Sequence, residues 1–260
     1  MSPRIDLDIG DGVATVTLHN PAKLNAVNAA MWRGLSAAMT QITGDASVRC
    51  VILRGAGEDA FAAGGDIEEF LRVRANVEDA LHYHDDLVAT ALDAIRDCAV
   101  PTVAAIRGAC VGGGLEIAGC CDIRIAGESS RFGAPINRLG FSMYPGEMAG
   151  LLALVGPAVV LEILLEGRIL NAREALQKGL LSRVVDDEKV FEEAAACAAR
   201  ICAGAPLVAR WHKQWVKRLM DGGALSDAEK REAFAFLDTE DYREGLEAFL
   251  AKRPPVFRGR

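Results

Sequence analysis

The sequence predicts an α/β fold with a helical C-terminal segment, and three observations carry that prediction. Runs of buried-strand character recur at residues 48–53, 102–107, 122–126 and 181–185. Glycine-rich turns at 55–65 and 108–114 join the first two of them to helical patterns, as strand-turn-helix units require. From Asp187 onward the pattern is helical almost to the end, broken at Gly204-Ala205-Pro206, Asp221-Gly222-Gly223 and Pro254-Pro255.

Taken in order, residues 5–9 and 13–19 alternate around Gly10-Asp11-Gly12 and read as a β-hairpin. A helix is expected from about 28 to 43, with Met31, Leu35, Met39 and Ile42 on one face and Asn28 as its cap. After the strand at 48–53 and its loop, helical segments fill 67–98. Pro101 precedes the next strand, and a helix near 113–120 follows the glycine turn. Helices near 147–155 and 159–165 lead to Ile169-Leu170, and Asn171 can cap a short helix ending before Gly179. The organisation expected is a core over 1–204 and a helical segment over 205–260.

At 260 residues and 51% hydrophobic, the chain can bury a substantial core. A net charge of −7 gives no electrostatic reason to expect nucleic acid or an anionic membrane as partner, so an anionic ligand needs a local site. Seven cysteines without C-x-x-C spacing, and no apolar signal peptide at the N-terminus, point to reduced structural thiols in a cytoplasmic protein. Uninterrupted apolar stretches such as 151–155 are far too short to span a bilayer.

The chemically suggestive segment is Val111-Gly112-Gly113-Gly114-Leu115-Glu116, where a buried strand runs into a glycine turn at a helix start. Unpaired N–H groups and the helix dipole there favour negative charge. A phosphate loop needs Lys and Ser or Thr after its last glycine, and Leu115-Glu116 stand there instead; no dinucleotide fingerprint fits either. Glu116 lies one helical turn beyond Gly113, near the same face. A phosphate beside it is repelled, whereas a carbonyl that becomes an enolate oxygen can use both groups. A plain glycine turn with a solvated Glu116 fits the same residues.

Further motifs separate these readings. Ala60-Phe61-Ala62-Ala63-Gly64-Gly65-Asp66-Ile67, Phe132-Gly133-Ala134-Pro135, Asn20-Pro21-Ala22-Lys23-Leu24-Asn25-Ala26, Gly179-Leu180-Leu181-Ser182-Arg183-Val184-Val185 and Ala248-Phe249-Leu250-Ala251-Lys252-Arg253-Pro254-Pro255 occur in this order with the glycine run. Together they make the chain resemble the crotonase superfamily, the enoyl-CoA hydratase/isomerase family, over nearly its whole length. The resemblance implies a spiral of repeated ββα units, a homotrimer or dimer of trimers whose C-terminal segment serves assembly and covers the active site, and an acyl-CoA thioester substrate with no metal and no separate cofactor.

By that resemblance Gly65 and Gly113 supply the two main-chain N–H donors of an oxyanion hole, and Glu116 matches one of two hydratase carboxylates. Gly65 replaces a common alanine. Lys23, Leu24, Ala63, Asp66 and Ile67 match the segments that approach coenzyme A, and Phe249 and Lys252 match C-terminal positions that contact it in family oligomers, with an i,i+3 spacing that lets both face one ligand from a helix. The second hydratase glutamate would follow Pro135, and Ile136 stands there. Hydration is best served by two carboxylates, while a double-bond isomerase needs one, so both reactions stay open. Tyr144 or Glu147, in a slightly lengthened loop, is a candidate to enter the acyl pocket with Ile136 and replace the missing acid. The alternative is a catalytically weak acyl-CoA-binding or RNA-binding member.

Other signals read as structural. His82 and His84 point apart on a helix, lack a metal-ligand set and read as surface or pocket-wall residues. Trp211 and Trp215 share a packing face with the neighbouring cations in solvent. Cys120-Cys121 has no histidine partner, and Ser129-Ser130 lacks an esterase elbow.

Overall fold

A computed structural model describes residues 2–260; Met1, the first residue of the segment read for a signal peptide, lies outside them. Strands β1 (Arg4–Gly10) and β2 (Val13–His19) form the expected hairpin. Asp11 and Gly12 both take positive φ, 51° and 77°, as a two-residue turn between twisted strands needs. Helix α1 (Ala29–Gly44) begins at Asn28, whose side chain accepts from the Met31 N–H, and buries Met31, Trp32, Leu35, Met39 and Ile42.

Three strand pairs then follow one plan. β3 (Cys50–Gly55) and β4 (Ala60–Ala62) lead to α2 (Ile67–Val73), α3 (Val77–Leu81), a π-helical stretch at His82–Ala89 and α4 (Thr90–Arg96). β5 (Thr102–Ile106) and β6 (Ala109–Val111) lead to α5 (Gly113–Gly119). β7 (Ile123–Gly127) and β8 (Arg131–Gly133) lead through a 3-10 turn at Pro135–Leu139 to α6 (Pro145–Glu166). Each pair sends its first strand to one sheet and its second to another, which is the ββα spiral. β9 (Leu170–Asn171), α7 (Ala172–Gln177) and β10 (Arg183–Val185) close it.

The large sheet runs β1-β2-β3-β5-β7-β10, parallel from β2 onward, and the small one β4-β6-β8-β9. Both faces of the large sheet are covered, so its strands read as continuous apolar runs. Val51 and Leu53 of β3 enter the main core with Trp32, Leu35 and Phe61. Cys50 and Ile52, pointing the other way, pack with Val103, Ala105 and Ile125 under α8 (Val190–Cys202). All seven cysteines are free thiols, and burial pushes Cys50 and Cys120 up to about 12.

Helix α6 has the length and apolarity of a membrane span, which the short uninterrupted stretches did not suggest. Gly156 breaks it, at φ 72° and ψ 171°, directly before Pro157. Each arm is therefore about 16 Å long at ~1.5 Å per residue, half of a ~30 Å bilayer core, in keeping with the two helices expected from sequence.

Helices α9 (Pro206–Met220), α10 (Asp227–Glu232) and α11 (Glu240–Leu250) complete the chain. Trp211 and Trp215 line one side of a cavity of about 420 Å³ with Phe236, Tyr242 and Phe257. On the same helix Lys213 pairs with Asp122 at 2.9 Å and Lys217 with Asp97 at 2.5 Å, so the basic-aromatic stretch is a packing helix pinned by ion pairs.

Candidate active site

The glycine run is shaped by what lies against it. Gly112 sits at φ 51°, ψ −122°, a conformation for glycine. At Gly114 a Cβ would stand 2.3 Å from the Ala62 carbonyl oxygen, so β4 and α5 can approach only without a side chain there. Gly64 faces the run across this junction, its Cβ direction 3.8 Å from the Gly113 nitrogen. The Gly64 carbonyl accepts from Val27 at 2.8 Å, and the Asp66 N–H donates to Val27 at 2.9 Å, which fixes Gly65 between them. Among the described residues, neither the Gly65 nor the Gly113 N–H donates to a main-chain acceptor. Two free amide donors from adjacent loops thus border one cavity of about 170 Å³.

Glu116, in the first turn of α5, is buried and faces that cavity. Burial, followed by the neighbouring Glu147 carboxylate, holds its carboxyl well above the ordinary value of 4.5. Glu147 stands in the first turn of α6, also buried, and lines the same cavity. Its carboxylate is hydrogen-bonded to Nδ1 of His84. A second buried carboxylate therefore lines the cavity from another element: Ile136 forms part of an apolar wall, and Glu147 shares the cavity with Glu116.

Tyr144 does not line the cavity. It stacks on the His84 ring, with centroids 5.2 Å apart, because it precedes α6 and turns to the outer side of that ring. His82 and His84 do point apart: His82 is exposed and bonds Asp86, whereas His84 is buried. The π-helical stretch widens the turn that carries Tyr83 and His84 inward, a distortion frequent at functional sites. Tyr83 accepts from Trp32 Nε1 at 3.1 Å, and burial pushes its hydroxyl up to about 12.

Ala63 and Ile67 also line the cavity. Lys23, Leu24 and Asp66 do not. Asp66 caps α2, and Lys23 is bound to both Asp66 and Glu68 at 2.8 Å, so its charge is already matched by two carboxylates. Leu24 is half-exposed and touches the site only through its carbonyl, which accepts from Ala63 at 3.0 Å. Phe249 and Lys252 are exposed and lie apart from the cavity within the chain. They do not share a helix face: α11 ends at Leu250, and Lys252 takes φ 53° in a Schellman turn, with its N–H on the Phe249 carbonyl and the Arg253 N–H on that of Ala248.

Gly65 has its own reason to be glycine. A Cβ there would meet Cζ of Phe70 at 3.0 Å. Phe70 in turn lies edge-on to Tyr83 and Phe141, and the Arg74 guanidinium sits 3.8 Å over its ring. Sequence reasoning did not find Phe70 or Arg74, and it left His84 as a surface or pocket-wall residue; no periodicity marks them, since they meet only where α2 and the π-helical stretch line the cavity.

The profile of the enoyl-CoA hydratase/isomerase family matches residues 8–260. A Bacillus subtilis protein named "Probable enoyl-CoA hydratase" is 37% identical over 262 residues, covering 98% of both chains. One of the same description from Mycobacterium bovis is 36% identical over 253 residues, 95% of each. The crystal structure of an enoyl-CoA hydratase/carnithine racemase from Magnetospirillum magneticum superposes with a TM-score of 0.96 at 53% identity, covering 98% of this chain and 96% of that one. With the ββα spiral and the paired glycine loops already in view, this chain belongs to the enoyl-CoA hydratase/isomerase family.

Proposed function

We propose that the chain hydrates a 2-enoyl-CoA thioester in the cavity between Gly65, Gly113, Glu116 and Glu147. The observation that carries this reading is the second carboxylate: Glu147 reaches the cavity beside Glu116 although Ile136 leaves the usual position apolar. The thioester oxygen is held by the Gly65 and Gly113 N–H groups, each such donor contributing about 3 to 4 kcal/mol to a developing oxyanion. Glu147, oriented by His84, takes a proton from water as its oxygen bonds to Cβ. The π electrons move onto the thioester as an enolate. Glu116, held neutral by burial, then gives its proton to Cα, and proton exchange with solvent resets the two groups. Water is added overall, and no redox change occurs.

Coenzyme A is part of the substrate, and neither a metal nor a further cofactor has a part in the scheme. A cavity of about 170 Å³ falls below the ~300–1,000 Å³ of sites that enclose a drug-sized ligand, which suits the acyl end alone. Lys23, Leu24, Asp66 and, from the C-terminal segment 205–260 of an assembled homotrimer or dimer of trimers, Phe249 and Lys252 would then serve the coenzyme portion. Leu161, Leu165, Val216 and Leu219, all more than half exposed, offer apolar surface for such assembly. The setting proposed is the cytoplasm, with no nucleic acid or membrane partner. Two buried carboxylates facing a cavity are costly unless used, which favours catalysis over mere acyl-CoA or RNA binding.

Incubation with crotonyl-CoA and, in parallel, a 3-enoyl-CoA tests the assignment. Formation of the 3-hydroxyacyl thioester is expected. Turnover of the 3-enoyl substrate alone would make the enzyme an isomerase, and turnover of neither would overturn the reading.

A further inference from the structure

Arg74 sets a cation among the aromatic rings of Phe70, Tyr83 and Phe141. Its guanidinium lies 3.8 Å over Phe70, 4.8 Å from the centre of Phe141 and 5.5 Å from that of Tyr83. It lines the same cavity as Glu116 and Glu147. Yet its Nε is buried with no hydrogen-bond partner, and the two carboxylates act on it only through space, Glu147 being bound to His84. Burial accordingly pulls the guanidinium below its ordinary range. A half-buried guanidinium with one unsatisfied nitrogen costs free energy that a bound anion would offset.

The geometry points to Arg74 as the receptor for a carboxylate at the distal end of the acyl chain. We infer that the substrate is an enoyl thioester ending in a carboxylate. This rests on the proposed thioester site, since it assigns another wall of the same cavity. The guanidinium fork matches a carboxylate with two parallel N–H donations, and the aromatic stack on Phe70 holds its plane in place. The carbonyl end is assigned to Gly65 and Gly113, and the Phe70 ring lies between Gly65 and the Arg74 guanidinium, so an acyl chain leaving the glycines along that ring reaches Arg74. The phosphates of coenzyme A are the other source of an anion, but the cavity is too small to admit them with the acyl group.

The test uses the full-length protein and saturated C4 to C8 acyl-CoA thioesters, each with and without a terminal carboxylate, with binding followed by calorimetry. At one chain length or more, the carboxylate form should bind roughly 10- to 100-fold more tightly than its neutral partner, the worth of hydrogen bonds to a charged group. Arg74→Gln should bring that ratio close to one, and Arg74→Lys should keep part of it. Equal affinities in the parent at every length would overturn the inference. So would an unchanged ratio in Arg74→Gln, or an equal weakening of free coenzyme A, which would assign Arg74 to the phosphates. Because the probes are saturated, binding is read without catalysis; failure of hydration with a large ratio would sink the proposed reaction and leave Arg74 as the carboxylate receptor.

Discussion

Two cavities among the described residues differ in a way that size does not predict. The one between α9, the 3-10 turn at Ala235–Asp238 and α11 is larger, about 420 Å³, and is walled by Trp211, Trp215, Phe236 and Tyr242. Its buried carboxylate, Asp241, is fully committed: the two oxygens accept the N–H groups of Arg258 and Gly259 at 2.7 and 2.8 Å and pin the C-terminal tail. The one at the glycine run is smaller, about 170 Å³; Glu147 and Tyr83 in its wall are bonded, but two amide donors, the Glu116 carboxyl and a guanidinium with a bare nitrogen are uncommitted. Unused hydrogen-bonding capacity, and not volume, marks the chemical site.

That contrast can be broken most easily at Glu116. Glu116→Gln should lower kcat/KM for crotonyl-CoA by about 10²- to 10⁴-fold, measured as 3-hydroxyacyl formation, since a general acid is removed. A smaller loss is expected at Gly65→Ala, roughly tenfold, because the N–H donor remains while the new Cβ displaces Phe70 from 3.0 Å. If that variant matched the parent, Phe70 would not be shaping the site. In the other cavity, Asp241→Asn should cost about 1–3 kcal/mol of stability in urea unfolding by leaving tail amides poorly paired, with kcat/KM near the parent value. A large catalytic loss with unchanged stability would erase the distinction between the cavities.

The subtlest effect is one of pH. Glu116 binds its proton more tightly in the folded chain than in the unfolded one, so its contribution makes stability fall as pH rises from 4.5 toward its higher folded value. Glu116→Gln removes that slope. The variant should therefore gain on the parent in urea unfolding as pH rises above about 4.5, with no such gain below it. A constant offset across this range would mean that the carboxyl is not held neutral.

Much of this was legible in the sequence wherever a physical pattern was long enough to read. The hairpin, the Asn28-capped helix and the parallel strands of the large sheet carry alternation, caps or apolar runs. The small sheet was not legible as strands, because β4, β6 and β8 are three residues each and two of them lie inside the glycine motifs. Gly65 and Gly113 were picked out by resemblance to a family motif and Glu116 by its place one turn beyond the glycine run, and the structure brings all three to one cavity. Ile136 puts an apolar side chain where the resemblance expects a carboxylate, and the loop after it offered Tyr144 and Glu147, between which spacing alone did not choose; only Glu147 lines the cavity. The helix start at Pro145 turns Glu147 inward and leaves Tyr144 outside. Arg74 gave no signal, since a guanidinium over aromatic rings depends on contacts between α2, the π-helical stretch and the loop at Phe141.

The central claim is that Glu147 has taken over the work of the carboxylate missing at Ile136. Its most direct test is hydration of crotonyl-CoA by Glu147→Gln, Glu116→Gln and the double variant. If the two groups act as one unit, Glu147→Gln alone should lose at least about 10²-fold, and the double variant should fall little below the weaker single one. Hydration at the parent rate by Glu147→Gln would contradict the claim.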